Sequence, residues 1–120
     1  MFIYKMYGFI IAAVILILVI VFMYMKNKKS IKYIGCYADA TPVRTFSGKY
    51  RHETDLETCA GVARNTGSKY IGYQGTPGSA TGTCWYGDVY DTNGKAADCV
   101  TKDAAGNIMG QWDLAVYEIN

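Results

Sequence analysis

The chain is poor in the residues that most often carry chemistry. It has one histidine, His52, and its four cysteines (Cys36, Cys59, Cys84 and Cys99) stand 23, 25 and 15 positions apart. A structural zinc site is built from close pairs such as C-x-x-C, and a thiol redox centre needs two cysteines near in sequence, so neither is indicated. His52, between Arg51 and Glu53, has no nucleophile motif around it and reads as a surface residue. The glycines of 75–82 lack the lysine and hydroxyl of a phosphate-cradling G-x-x-x-x-G-K-[ST] loop. Asp88, Asp91 and Asn93-Gly94 lack both the spacing and the distal glutamate of a calcium loop, and read as a solvated turn. With no catalytic constellation, cofactor motif or metal set, the chain is expected not to be an enzyme. N-x-[ST] sequons are absent too, which fits a domain kept away from the glycosylation machinery.

Positive charge is scarce where nucleic-acid binding would need it. From Tyr33 onward seven Lys/Arg stand against ten Asp/Glu, a net charge of −3. The overall +2 therefore comes from five lysines at the other end of the chain: Lys5, Lys26, Lys28, Lys29 and Lys32. No basic face for nucleic acid is expected.

What is abundant is apolar surface in one place. Met6 to Met25 gives twenty consecutive uncharged positions between Lys5 and Lys26. At about 1.5 Å per residue this is roughly 30 Å of helix, one bilayer core. The run is longer than a signal-peptide apolar region, and Lys26-Asn27-Lys28-Lys29 after it offers no small-x-small cleavage site, so a retained anchor is expected. Tyr4, Tyr7, Phe22 and Tyr24 suit the two headgroup belts. Gly8 and Ala12 form a small-xxx-small pair open to a second helix, though ordinary lipid-facing positions account for it as well. The organisation read from this is a flank (1–5), a membrane helix (6–25), a basic linker (26–32) and one small domain (33–120).

Sidedness is contested within the chain. Lys26, Lys28 and Lys29, assigned to the membrane interface, follow the helix together with Lys32, and the positive-inside rule then puts the domain on the cytosolic side. All four cysteines lie in the 88-residue domain. An even count in so small a unit reads as two disulfides and an oxidising compartment. A domain of this size buries little surface, so covalent staples are expected.

Within the domain, Lys32–Tyr37, Tyr70–Gln74, Cys84–Tyr86 and Leu114–Ile119 read as strands, rich in aromatic and β-branched residues. Ala38–Gly48 is turn-prone and Asp88–Gly110 is expected to be mostly irregular. Thr54-Asp55-Leu56-Glu57 is a capping box, with Thr54 as cap and Glu57 reaching back. Leu56, Cys59, Ala60 and Ala63 then form one apolar stripe, and Gly67 stops the helix. The expected class is α+β: one helix on a short, mostly antiparallel sheet, behind a transmembrane helix.

The order Tyr33-x-Gly35-Cys36-Tyr37-x-Asp39, Arg44, the Thr54 helix with Cys59, Tyr70-x-Gly72-x-Gln74, Cys84-Trp85-x-Gly87, Cys99 and Val116-Tyr117 resembles the WSC domain. That family is an extracellular cysteine-rich module of fungal wall sensors and animal receptors. The chain departs from it by carrying four cysteines where eight are usual. Ala63 and Tyr86 stand where the family has two further cysteines bonded to each other. The resemblance implies the pairs Cys36–Cys99 and Cys59–Cys84, among the three connectivities that four cysteines allow. It also implies a binding role. Tyr86, Trp85, Tyr73, Tyr90 and Arg44 are the ligand- or partner-binding candidates, because rings stack on sugars or anchor protein interfaces. Against this, Trp85 and Trp112 are expected to serve the core, and Arg44 to pair with Asp39.

The expected partners are the bilayer and either a glycan or a neighbouring protein. Large DNA viruses of the poxvirus and giant-virus kind make similar proteins, with one anchor and a disulfide-bonded domain facing the cytosol, oxidised by their own thiol oxidases. A minor capsid or internal-membrane role, with capsid proteins as partners, is the alternative expectation. The domain then faces either the cell surface or lumen, or the cytosolic side of a virion membrane.

Overall fold

A computed structural model describes residues 2–27, 30–40 and 43–120, without the side chains of Phe2, Lys26 and Asn27. Lys28, Lys29, the Lys26 side chain and Pro42 of the turn-prone stretch therefore lie outside the described residues. Helix α1 runs Phe2–Asn27, several residues longer at its start than the uncharged run, because a single lysine at position 5 does not interrupt helical backbone. Within it Ile3–Met25 is long and apolar enough to cross a membrane, and among the described residues nothing buries it. A helix apolar on every side is stable only when something apolar surrounds it.

The domain is α+β, as the strand and helix patterns predict. A five-stranded antiparallel sheet has the order β1 (Ile31–Tyr37), β7 (Leu114–Ile119), β3 (Tyr70–Gln74), β4 (Thr83–Gly87), β2 (Gly48–Lys49). A separate hairpin pairs β5 (Thr101–Lys102) with β6 (Ile108–Met109). Strand β2 begins on Gly48, the last residue of the segment read as turn, and β5 and β6 lie in the one read as irregular. Two-residue strands carry too little alternation to register as a pattern.

Helix α2 (Leu56–Asn65) buries the predicted stripe of Leu56, Cys59, Ala60 and Ala63 on one face of the sheet. There it meets Ile71, Tyr73, Cys84, Ala115, Tyr117 and Ile119. Its cap sits one residue later than expected. Thr54 is still extended backbone, exchanging both hydrogen bonds with Gly82 at 2.9 Å, so Asp55 is the first residue free to cap. The Asp55 carboxylate accepts the Thr58 amide at 2.7 Å, and hydrogen bonding to Thr58 holds its carboxyl below the usual range. Gly67, at φ 77°, ends the helix in the left-handed conformation that glycine adopts without a steric penalty.

The disulfides are Cys59–Cys84, which ties α2 to β4, and Cys36–Cys99, which ties β1 to the segment before β5. This is the pairing that the resemblance implies. At sequence separations of 25 and 63, loop-closure entropy assigns each about 3–4 kcal/mol.

Among the described residues no helix covers the opposite face. Phe46, Leu114 and Val116 form a second, smaller core, with Ile34, Tyr37, Tyr70, Trp85 and Tyr90 against it. Gly72 makes this possible: a Cβ there would meet the Phe46 ring at 2.7 Å and Leu114 at 2.9 Å. A β-bulge between Tyr33 and Gly35 lets Ile34 join that face while Tyr33 and Cys36 stay on the other.

Tyr73, one of the predicted binding residues, is fully buried in the helix-side core. Alternation explains it, since Tyr73 shares a face with Ile71 two positions before. Its hydroxyl donates to Asp103 Oδ2 at 3.1 Å. The buried Asp103 carboxylate also accepts the amides of Ala105 and Asn107 and the Asn107 side chain, which closes the β5–β6 loop. Burial, then the hydrogen bond and charge of Asp103, raise the Tyr73 phenol well above its ordinary value of 10.0. Burial raises Tyr117 likewise. A raised folded-state pKa contributes stability that is complete below the unfolded value and is lost as pH rises past it. The domain should therefore lose stability above about pH 10. Tyr73→Phe should lower neutral-pH stability by about 1–3 kcal/mol and flatten that alkaline decline, measured by urea titration at pH 7 and above pH 10. An unchanged alkaline slope would contradict the assignment.

Candidate functional site

The half of the second face that Phe46 leaves uncovered holds the site. Cys84 faces α2, so Trp85 beside it faces the other way, with Thr83 on the same strand and Gln74 on β3. Across β2, Lys49 pairs with Trp85. These side chains, with Arg44 and Trp112, line an open cleft of about 530 Å³.

Two cations stand over one indole. The Arg44 guanidinium carbon and Lys49 Nζ are each 5.3 Å from the Trp85 ring centroid, within cation–π range. Arg44 is held there from behind. Its Nη1 donates to Asp39 Oδ2 at 2.6 Å, and the Asp39 side chain is only 2 % exposed. Asp39 Oδ1 also accepts the Thr45 amide, so the carboxylate is fixed by the backbone that carries Arg44. The expected Asp39–Arg44 pair is thus present, and it positions a cleft residue. Among the described residues it is the single ion pair. Glu53, also in the cleft lining, is the acidic member and accepts the Thr81 hydroxyl at 3.5 Å.

Gln74 connects the two tryptophans. Its Oε1 accepts the Trp85 indole N–H at 2.9 Å, and its Nε2 donates to the Trp112 carbonyl at 3.1 Å. The Trp112 loop is laid against the end of β3 by backbone: Gly75 N–H to Gly110 O at 2.8 Å and Gly110 N–H to Tyr73 O at 2.9 Å. A Cβ on Gly110 would sit 1.7 Å from the Asp113 carbonyl oxygen, so this tight return requires glycine. The loop presents Trp112 with 83 % of its surface exposed, contrary to the expectation of a core residue. Its carbonyl is used to fix the loop, and its ring is left in solvent.

The strand register gives the cleft a direction. Ile31, where the chain enters the domain, pairs with Ile119, whereas Tyr37 pairs with Leu114 at the far end. Gln74, Thr83 and Trp112 belong to that far end. Six strand steps of about 3.3 Å put roughly 20 Å between the entry point and this end.

Of the predicted site residues, Trp85 and Arg44 come together and three do not. Tyr73 is core. Tyr86 lies on the helix side, its ring packed over Gly48, where a Cβ would come within 2.2 Å. Tyr90 is committed to a ring cluster, edge-on to Tyr37 at 4.9 Å and tilted against Tyr70 at 4.6 Å between centroids. His52 is exposed and packs edge-on against Tyr50. Asp88 accepts the Lys69 amide, and Asn93 donates to Val43 and Thr45, so both serve loop structure. Lys49, Gln74 and Trp112 were not foreseen as site residues. Alternation from Cys84 points to Trp85 and, one strand over, to Gln74, but a two-residue strand and a glycine-dependent loop leave no such trace.

The arrangement offers an aromatic floor, two cations, one carboxylate, an amide and a hydroxyl, all in a solvent-open cleft, which suits binding an amphipathic, hydroxyl-rich molecule. No family model, curated protein or solved structure matches the chain. Gln74→Leu should leave the Trp85 N–H and the Trp112 loop without their shared partner. The expected result is a loss of about 1–2 kcal/mol of stability together with a shift in tryptophan emission; an unaltered spectrum would show that Gln74 does not order the pair.

Proposed function

We propose that the chain is a non-enzymatic, membrane-tethered recognition module, a four-cysteine relative of the WSC domain, that binds a glycan in the Trp85–Trp112 cleft. One observation carries the reading: Trp112, 83 % exposed, shares a cleft with the Trp85 indole, the Gln74 amide that binds it, the braced Arg44 guanidinium and Lys49. A large apolar ring left in water on a braced loop has little to contribute to folding, and a ring face next to convergent polar groups is what a sugar needs. The cleft lies at the end of the sheet remote from Ile31, which favours a ligand beyond the lipid surface over a headgroup.

Trp112→Ala should therefore weaken binding to an immobilised polysaccharide panel by tenfold or more, about 1.4 kcal/mol, with the melting temperature unchanged. Equal binding by both forms, or no saccharide preference in the native chain, would remove this reading.

A second reading is a structural protein of a large DNA virus, joining an internal membrane to the capsid shell. The observation that favours it is the lysine cluster after the span, which by the positive-inside rule keeps the domain cytosolic, together with two disulfides. Protease treatment of intact membranes distinguishes the two. Protection of an oxidised domain inside vesicles supports the surface glycan reading. Digestion from the cytosolic side, with the cysteines still bonded, supports the virion one.

A further inference from the structure

Trp112 does not belong to one cleft alone. On its other side lies a second, smaller cleft of about 170 Å³, floored by the Cys36–Cys99 bridge and lined by Asp98, Val100, Gln111 and Asp113. Gln111 and Trp112 line both clefts. Val100 is 86 % exposed and Trp112 83 %, and among the described residues of the domain no other large apolar side chains are so open to solvent. Scattered exposed apolar residues are ordinary on a protein surface; two such residues flanking one cleft are a feature to explain.

From this continuity we infer that the ligand is a saccharide chain, bound across Trp112 as a ridge, with Asp98, Val100 and the disulfide floor forming a second subsite. The inference rests on the glycan reading above and adds the ligand's length and the residues that measure it. A single sugar occupies one cleft and leaves the other empty. A chain lies over the indole and reaches both. The polar groups suit hydroxyls at each position: Lys49, Gln74 and Thr83 on one side, and the carboxylates of Asp98 and Asp113 on the other, with Gln111 between. These are side-chain groups around a ring, not a row of strand-edge N–H and C=O groups, so an oligosaccharide fits the path better than an extended peptide. The disulfide beneath the second subsite holds it rigid, so little ordering is needed on binding.

The test uses the full chain in phosphatidylcholine nanodiscs, titrated with cello-, laminari- and chito-oligosaccharide ladders, each from monomer to hexamer. Affinity should rise with length until both clefts are filled. Val100→Glu, at an exposed position, should weaken the longer oligomers by about tenfold and leave the shorter ones unchanged. Asp98→Ala should act in the same direction more weakly, Lys49→Met should weaken every length, and Trp112→Ala should abolish the length dependence. Affinity independent of length, or a Val100→Glu effect of equal size on short and long oligomers, overturns the second subsite, while Lys49 and Trp112 sensitivity would still uphold the single-cleft reading. Failure of the native chain to bind any saccharide overturns both.

Discussion

The bond between Cys59 and Cys84 settles which way the sheet faces. It pins β4 to α2 at a residue on the helix side, and side chains in a strand alternate. Ile71, Tyr73, Ala115 and Tyr117 follow Cys84 inward by register, whereas Gly72, Val116 and Trp85 are sent to the other face. A one-residue slip would carry Trp85 into a site that Ala60 and Ala63 fill, and would leave Cys84 out of reach of Cys59. The covalent tie therefore specifies register as well as contributing loop-closure entropy.

The second face must be closed without a helix, and only partly. Phe46 does this from the 43–47 segment, reaching over Gly72 and against Leu114 and Val116. That segment is itself held by Thr45, whose hydroxyl donates to the Ala38 carbonyl at 2.7 Å and whose oxygen accepts from Asn93. The same segment carries Arg44, and Asp39 grips both the Thr45 amide and the Arg44 guanidinium. Closing the small core and aiming a cation at Trp85 are thus one structural act. Where Phe46 stops, the sheet remains open, and the cleft is that remainder.

Long, strongly patterned elements were legible in the sequence: the apolar run of α1, the Leu56–Ala63 stripe, and strands β1, β3, β4 and β7. Each carries several residues of consistent period. What was not legible depends on partners distant in the chain. The cap moved to Asp55 because Gly82, 28 positions after Thr54, occupies the Thr54 backbone. Tyr73 was misjudged as a surface ring although Ile71 beside it already signalled the buried face; ring chemistry outweighed alternation. Trp112 was misjudged in the opposite sense, because the loop that exposes it is shaped by a glycine contact to Asp113 and by an amide from β3. In a domain this small the site is assembled from loop ends, and those are where pattern reading has least to work with.

On the proposed reading, tethering and a shallow site belong together. An open cleft with one exposed indole cannot desolvate a ligand deeply, so each contact is of modest strength and exchanges quickly. Fixing many copies in one membrane changes the arithmetic. When the target is a polymer with repeated units, a second domain engages at the effective concentration set by lateral spacing, and overall avidity rises by orders of magnitude with no new contact in any single cleft. A deep pocket would gain little from such an arrangement; a braced, solvent-open cleft at the end of the sheet remote from Ile31 gains most. The short segment between Asn27 and Ile31 then serves the same end, since a brief tether keeps the domains in a layer and presents their far ends together.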